Sequence, residues 1–214
     1  MSIYVKDEAF VLKIKLVKEA DAILNLFTKD HGKILGVIKG LKTSTKNIYV
    51  FDQLNYIKTF FVIKNERVKI LSGLILKEIK IPNENLKNWF WTLKVFNYFT
   101  IKGKPENELF NLLIFCSKIL NKKVFGYKSW LLLKILKIMG IFPFDIFCSN
   151  CGKIIDKGFF DKEVFCKYCY KEGSGIEIKK EDILKLKEIS NSNFPNYTSK
   201  KLVSIIKKAV KDII

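Results

Sequence analysis

The sequence predicts an α+β protein, with an N-terminal OB-like five-stranded β-barrel followed by an all-α domain that carries an inserted four-cysteine zinc ribbon. Three observations lead to this prediction. Apolar and polar residues alternate with a period of two over roughly the first eighty residues. Apolar residues adopt helical spacing after Pro82, and two Cys-x-x-Cys pairs lie within positions 148–169.

The first predicted strand shows most clearly the period of two that is expected of a sheet with one buried face. One face would carry Phe10, Leu12, Ile14 and Leu16, and the other Val11, Lys13, Lys15 and Val17. Four more strands are predicted at 22–27, 34–38, 54–63 and 68–79, with polar turns at 28–33 and 64–67. We expect no helix between these strands. Because so short a sheet must protect its edges, closure into a small barrel is the favoured arrangement.

Helical spacing replaces the alternation beyond residue 82. Apolar residues recur at three- and four-residue intervals over 86–97 and 109–120, and a third segment, 130–139, is apolar almost all round. The third segment should therefore be the buried centre of the helical part. Two further helices are expected after the cysteines, and the last of them has one lysine-rich face. We favour a solvated face of a packed helix there over a membrane or nucleic-acid contact.

The four cysteines Cys148, Cys151, Cys166 and Cys169 predict one structural zinc ion. A gap of two residues lets both thiolates of a pair turn toward one point, and four thiolates leave no open position for a catalytic water. The alternative is a redox Cys-x-x-Cys site. It would need only one pair, in a thioredoxin-like βαβ setting that this sequence does not show. Gly152 should form the turn after the first pair, and Gly158 should reverse the chain between the pairs.

Length and composition indicate two small domains and a metal module. The 214 residues, 49% of them hydrophobic, suffice for more than one core. The expected divisions are a barrel at 1–80, a helical domain at 81–147, the zinc module at 148–172 and C-terminal helices at 173–214. No membrane span or signal peptide is evident, so we expect a cytoplasmic protein. The fifth cysteine, Cys116, should be a small buried hydrophobe.

A formal net charge of +18 points to nucleic acid, acidic lipid or an acidic protein tail as a partner. The alternative is a lysine-rich composition that reflects an AT-rich genome. Arg67 is the only arginine, and bidentate reading of guanine is largely an arginine property. If the protein binds nucleic acid, it should hold phosphates without reading sequence.

The chain does not offer the side chains that common catalytic sites need, so we expect a binding protein rather than an enzyme. Its only histidine, His31, falls in a predicted hairpin turn. The segment 36–43 has glycines, but not at the spacing of a phosphate loop. Acidic residues are scattered, with no carboxylate pair for a two-metal nuclease.

A basic connection between two predicted strands is the expected nucleic-acid contact. Residues 39–46 place Lys39, Lys42 and Lys46 beside three hydroxyl side chains in a segment expected to be flexible. OB-like barrels commonly bind ligands through such loops, although an ordinary solvated loop is the alternative. The full set of expected DNA contacts is Lys13, Lys15, Lys33, Lys39, Lys42, Lys46 and Arg67.

Several segments resemble the bacterial recombination mediator family RecO. They are Val11–Ile14, Glu19–Leu24, Phe27–Lys33, Val37–Gly40 and Phe51–Leu54. The order of parts is similar too: an OB-like barrel, a helical domain and a four-cysteine module before the last helices. Where family members often carry arginines after the Lys-Gly pair, this chain has Lys42 and Lys46, which keeps the charge but not the fork geometry.

The resemblance implies a protein that binds single-stranded DNA, anneals complementary strands and assists loading of the recombinase RecA onto DNA covered by single-strand-binding protein. It also implies RecR and the acidic C-terminal tail of single-strand-binding protein as partners, and no membrane. The alternative from the residues is an RNA-binding or nucleic-acid-processing zinc-ribbon protein.

Overall fold

The chain divides into two units, Met1–Lys123 and Val124–Ile214, in a computed structural model that describes residues 2–17, 19–122, 124–171, 173–192 and 199–211. The first two long helices belong to the first unit and the third helix to the second. The helical domain expected at 81–147 is thus shared between the units, and the four-part division stays a prediction.

Five strands of the first unit close into the barrel that the sequence predicts. They are β1 (Ile3–Val17), β2 (Asp21–Thr28), β3 (Gly32–Ile38), β4 (Asn55–Lys64) and β5 (Arg67–Glu78). The order around the barrel is β1-β2-β3-β5-β4, and β1 pairs with β4 to complete it. Strand β3 runs parallel to β5, whereas the other neighbours are antiparallel. Because every one of these five strands has two neighbours, the described part of the barrel has no edge strand.

Strand β1 is buried on both faces in its middle, contrary to the single buried face expected. Val11 lies in the barrel core, while Phe10 points outward against two helices. The register with β2 shifts between Val11 and Lys13, so Leu12 is an extra residue that changes which side chains face inward. Gln53 Nε2 donates to the Leu12 carbonyl at 2.8 Å. Beyond this bulge Ile14 packs against the core and Leu16 is exposed.

A short helix, α1 (Thr45–Val50), interrupts the run of strands, although none was expected there. The side chain of Ser44 accepts a hydrogen bond from the Asn47 N–H at 3.2 Å and so caps the helix. Val50 and Phe51 at its end are buried in the barrel core. The helix therefore closes one part of the barrel with apolar side chains.

Two helices cover the outward aromatic side chains of β1 and β2. They are α2 (Asn83–Phe99) and α3 (Asn107–Ile119), and they confirm the helical spacing after Pro82. The ring centroids of Phe10 and Phe110 are 5.6 Å apart, and those of Phe27 and Phe110 are 5.4 Å apart. Fully buried Trp89 donates its indole N–H to the Gln53 carbonyl at 3.0 Å. This aromatic cluster accounts for the apolar outer face of the barrel.

The second unit contains three helices and a small sheet. The elements are α4 (Tyr127–Ile138), β6 (Lys157–Asp161), β7 (Glu163–Cys166), β8 (Ile176–Lys179), α5 (Lys180–Asn191) and α6 (Lys200–Lys211). Helix α4 is buried on nearly every side and packs against α5 and α6, as expected for the centre of the helical part. The strand order is β7-β6-β8, so the ribbon predicted with the four cysteines contains three strands.

The two glycines of the cysteine module differ in role. Gly152 has a φ of +68° and forms the expected turn after the first pair. Gly158 instead lies inside β6, opposite Cys166, where a Cβ atom would come 2.1 Å from the Phe165 carbonyl oxygen. The chain reverses at Lys162, whose φ is +66°. The expectation that Gly158 makes the reversal was wrong.

Within the described residues, none of the helices combines the length and the apolar character needed to cross a bilayer.

Candidate metal centre and nucleic-acid interface

Two tight backbone turns present the four cysteines to one point. In the first, Cys148 N–H donates to the Lys153 carbonyl at 2.9 Å, and Gly152 N–H donates to the Cys148 carbonyl at 2.8 Å. In the second, Cys166 ends β7, and its carbonyl accepts from the Cys169 N–H at 3.1 Å. The Ser149 N–H donates to the Val164 carbonyl and holds the first turn against β7.

The sulfur atoms have a separation that suits a single tetrahedral metal ion. The Sγ atoms of Cys148, Cys151, Cys166 and Cys169 all lie within 4.8 Å of one another. Those of Cys151 and Cys166 are 3.9 Å apart. A zinc–sulfur bond of about 2.3 Å at the tetrahedral angle gives a sulfur–sulfur distance of about 3.8 Å. The four side chains could therefore hold a metal ion with little movement.

Hydrogen bonds to the sulfur of Cys148 favour its thiolate form. Burial opposes ionisation of Cys148, but N–H groups of Cys166, Cys151 and Asn150 directed at its sulfur lower its pKa to about 6. A hydrogen bond from Asn150 lowers the pKa of Cys169, whereas the nearby sulfurs of Cys166 and Cys151 raise it to about 12. Cys148 therefore ionises more readily than Cys169, and a bound cation would favour the thiolate form of its ligands.

A basic groove lies on the barrel where β3, β4 and β5 meet. Its volume is about 770 Å³, and its lining residues are Val37, Lys39, Val62, Lys64, Asn65, Arg67, Val68 and Lys69. Four of these residues are cationic and none is acidic. The cationic side chains are exposed, and Val37 and Val62 provide apolar lining beside them, whereas Val68 packs against the barrel core. The groove can therefore attract an anion and offer apolar contact at the same place.

The hairpin between β4 and β5 shapes one side of this groove. Asn65 and Glu66 both have positive φ, at 48° and 61°, as a two-residue loop of the twisted hairpin type requires. Lys64 and Arg67 pair directly across this loop. The turn thus brings two cations side by side at the end of the hairpin.

The structure places only two of the seven expected DNA contacts in the groove, Lys39 and Arg67. Lys13 and Lys15 are exposed on β1, and Lys42 and Lys46 are exposed on the segment that leads into and through α1. Two hydrogen bonds connect the start of that segment to residues at or just before the start of β2. Gly40 N–H donates to Asp21 Oδ1 at 3.0 Å, and Lys42 N–H donates to the Ala20 carbonyl at 3.1 Å.

Lys33 lies outside the groove lining, and its side chain contacts a helix. Its Nζ donates to the Asn97 carbonyl of α2 at 2.7 Å. Burial lowers the pKa of this ammonium, and the charge of Glu106 partly offsets that effect. Its main chain also pairs with Lys102. Lys33 therefore ties β3 to the helical layer instead of extending the groove.

Sequence reasoning missed Lys64 and Lys69, which line the groove beside the expected residues. Lys64 is the first residue of the predicted turn at 64–67, and Lys69 lies two residues beyond its end. Lys64 could have been identified because it pairs with Arg67 across the tight hairpin, and Lys69 because it shares a face of the strand with Arg67.

The barrel sequence matches a known domain. Residues 1–78 match the family profile described as Recombination protein O N terminal. The barrel is similar to the N-terminal domain of RecO proteins. The match spans all five strands and so includes every residue of the basic groove.

Similarity to RecO proteins continues beyond the barrel. DNA repair protein RecO of Caldanaerobacter subterraneus subsp. tengcongensis is 25% identical over 85% of this chain and 78% of its own length. RecO of a Thermoanaerobacter species is 27% identical over 98% of the chain and 89% of its own length. RecO of Bacillus pumilus is 27% identical over 78% of this chain and 71% of its own length. The resemblance to RecO inferred from the residue segments is confirmed.

Proposed function

We propose that the protein acts in DNA repair and homologous recombination as a mediator that binds single-stranded DNA through the barrel. The observation that carries this proposal is the position of the basic groove, which lies wholly within the part of the chain that is similar to the RecO N-terminal domain. Relatives named DNA repair protein RecO support the process, and the groove supports the ligand.

The groove has the two components that single-stranded nucleic acid needs. Lys39, Lys64, Arg67 and Lys69 can neutralise phosphates, which releases counterions and provides sequence-independent affinity. The apolar side chains of Val37 and Val62 can contact sugars and base faces. Since three of these four cations are lysines, they supply point charges rather than planar forks, and binding should show little base preference.

Annealing follows from these properties without a chemical step. A polycation that screens two phosphate backbones lets complementary strands approach, and duplex formation itself provides the driving force. The protein would thus work as a binding protein and not as an enzyme. By resemblance it would help to load RecA onto DNA covered by single-strand-binding protein, and it would act at the nucleoid, where that DNA lies.

The proposed protein partners also follow from the resemblance. RecR is one, and the acidic, apolar C-terminal tail of single-strand-binding protein is the other. A protein with a formal net charge of +18 has the electrostatic character that an acidic tail requires. Such a partner would associate more weakly as salt concentration rises.

We further propose that Cys148, Cys151, Cys166 and Cys169 hold one structural zinc ion. Four thiolates at tetrahedral spacing form a closed shell that prevents water from binding the metal. When bound, the ion supplies folding free energy on the order of 10 kcal/mol to the short β6–β7 ribbon. The measurement is metal content by mass spectrometry of protein purified without chelator. One zinc per chain is expected, and substitution of Cys148 or Cys169 by Ser should remove it; absence of metal would overturn this assignment.

Binding to fluorescent oligo-dT across a salt series tests the DNA proposal. The logarithm of affinity should fall linearly with the logarithm of salt concentration. The slope of this line should be about −0.7 for each phosphate that is neutralised. Replacing Lys39, Lys64, Arg67 and Lys69 by Ala should make the slope shallower by about 3. Binding without salt dependence, or no binding, would reject the proposal.

A matched variant controls for overall charge. Lys29, Lys87, Lys94 and Lys104 are exposed residues of the same unit outside the groove lining. Replacing all four by Ala removes the same formal charge and should leave most of the slope intact. Competition by structured RNA at equal or better affinity would favour an RNA-binding protein instead.

A further inference from the structure

A second basic concavity lies at the other end of β5. Its volume is about 560 Å³, and its lining residues are Lys77, Glu78, Ile79, Lys80, Ser117, Lys118 and Asn121. The last residues of β5 form one wall and the end of α3 forms the other. We call this concavity the β5–α3 pocket.

Cations dominate the β5–α3 pocket. Lys77, Lys80 and Lys118 are exposed, while the only carboxylate of its lining, Glu78, accepts a hydrogen bond from the Tyr49 hydroxyl. Lys118 lies in the last turn of α3, where it also offsets the negative end of the helix dipole. That role does not account for Lys77 and Lys80, which belong to the strand side. Three ammonium groups around a concave site are suited to a phosphate.

The chain itself connects the β5–α3 pocket to the basic groove in two ways. Strand β5 begins at Arg67 in the groove, and Lys77 near its end lines the pocket. The segment 39–49 also begins in the groove, at Lys39, and reaches the pocket where Tyr49 bonds Glu78. Exposed Lys42 and Lys46 lie on this segment. Cationic side chains therefore occur at both sites and on the segment between them.

Distance along β5 sets the length of nucleic acid that could reach both sites. Ten residue steps at about 3.3 Å separate Arg67 from Lys77, so the two sites are at most about 33 Å apart. At about 3.4 Å per nucleotide this span corresponds to roughly ten nucleotides, and to fewer when the strand is extended. OB-type barrels bind about 4–16 nucleotides each, so one strand can occupy both sites.

We infer that the β5–α3 pocket is a second phosphate-binding site for the same DNA strand, which runs from the groove along segment 39–49. This inference rests on the proposed single-stranded DNA binding and extends its footprint. Tyr49, whose side chain is 58% exposed, provides an aromatic face beside the pocket on which a base can stack. Lysines and an aromatic ring in succession are the combination that non-specific single-strand binding uses.

Oligonucleotide length and pocket variants test the inference. Affinity is measured for oligo-dT of about 3 and about 20 nucleotides, which respectively fall short of the span between the sites, even when extended, and exceed it. Replacing Lys77, Lys80 and Lys118 by Ala should make the salt slope for the long oligonucleotide shallower by about 2. The same variant should bind the short oligonucleotide within about twofold of wild type, because the groove is intact.

Tyr49 provides a second readout that net charge does not affect. Tyr49→Ala should weaken binding of the long oligonucleotide by about fivefold or more through loss of stacking. Tyr49→Phe should restore it, since the ring remains and only the hydroxyl bond to Glu78 is lost. The charge-matched control replaces Lys87, Lys94 and Lys104 by Ala and should behave as wild type.

The outcomes separate this inference from the function on which it rests. If the pocket variants keep the wild-type slope and affinity on the long oligonucleotide while the groove variant loses both, the second site is rejected and the proposed function stands. If the wild-type protein binds neither oligonucleotide, both proposals are rejected. A smaller gain in affinity with length for the pocket variants than for wild type supports the second site.

Discussion

The ring nitrogen Nδ1 of His31 lies 2.7 Å from Oδ2 of Asp7, whose side chain is 1% exposed. The same carboxylate accepts hydrogen bonds from the Glu8 and Asp30 N–H groups at 2.7 and 3.1 Å. One buried acid in β1 thus fixes the turn between β2 and β3. This contact gives the only histidine of the chain a structural role in the barrel.

Replacing Asp7 by Ala should destabilise the barrel by about 3 kcal/mol, because it leaves two backbone N–H groups and His31 without their acceptor. Urea unfolding of the full chain measures this. His31→Ala removes one of the three donors but not the acceptor, so about 1 kcal/mol is expected. Equal losses for the two variants would show that Asp7 does not anchor the turn.

Lys33→Ala should reduce stability without changing DNA affinity. The substitution removes the bond from Nζ to the Asn97 carbonyl, which is worth about 1 kcal/mol. Lys39→Ala, in the groove, is the matched comparison and should make the salt slope of oligo-dT binding shallower by about 0.7. A similar change of slope for Lys33→Ala would show that its ammonium contacts DNA after all.

Gly158→Ala should disrupt the cysteine module, since the added Cβ would collide with the Phe165 carbonyl oxygen opposite it. We expect a loss of more than about 3 kcal/mol and incomplete metal occupancy in purified protein. Gly140→Ala is the control in the same unit. It also has a positive φ but meets no atom within 4 Å, so only backbone strain of about 1 kcal/mol applies. Similar metal content in the two variants would contradict the steric argument.

Acid should weaken the contact between α5 and α6 through Asp182. Burial raises the pKa of this carboxyl. Hydrogen bonds from Lys201 Nζ and the Lys179 N–H together lower the pKa by more than burial raises it, so the net shift is downward. A pKa lowered by folding stabilises the protein at neutral pH, and this contribution is lost as pH falls through the native pKa. Between pH about 7 and about 3, the unfolding temperature of Asp182→Asn should therefore decrease less steeply than that of wild type. Parallel curves would contradict the role of this pair.

Local patterns predicted the elements well but not which face of each strand is buried. The alternation in β1 is present, yet the helices cover Phe10 from outside and a bulge at Leu12 changes the register. Neither feature is a local property, because the helices follow some seventy residues later in the chain. Helix α1 was missed because six residues give little periodicity, and burial of Val50 and Phe51 in the barrel stabilises it.

The cysteine cluster was predictable because spacing alone brings each pair to a point, and the two pairs do converge. The groove was only partly predictable. Lys39 and Arg67 lie far apart in sequence and meet because β3 and β5 pair in parallel, which no single segment reveals. The hydrogen bond from Lys33 to the Asn97 carbonyl could not be predicted from the local sequence, because Asn97 belongs to a different element of the fold.

Annealing of complementary strands coated with single-strand-binding protein tests the central claim most directly. The measurement compares wild type with the groove variant, in which Lys39, Lys64, Arg67 and Lys69 are replaced by Ala, and with the charge-matched variant at Lys29, Lys87, Lys94 and Lys104. Wild type and the matched variant should accelerate annealing, and the groove variant should not. No acceleration by wild type, or equal acceleration by the groove variant, would contradict a mediator that works through this groove.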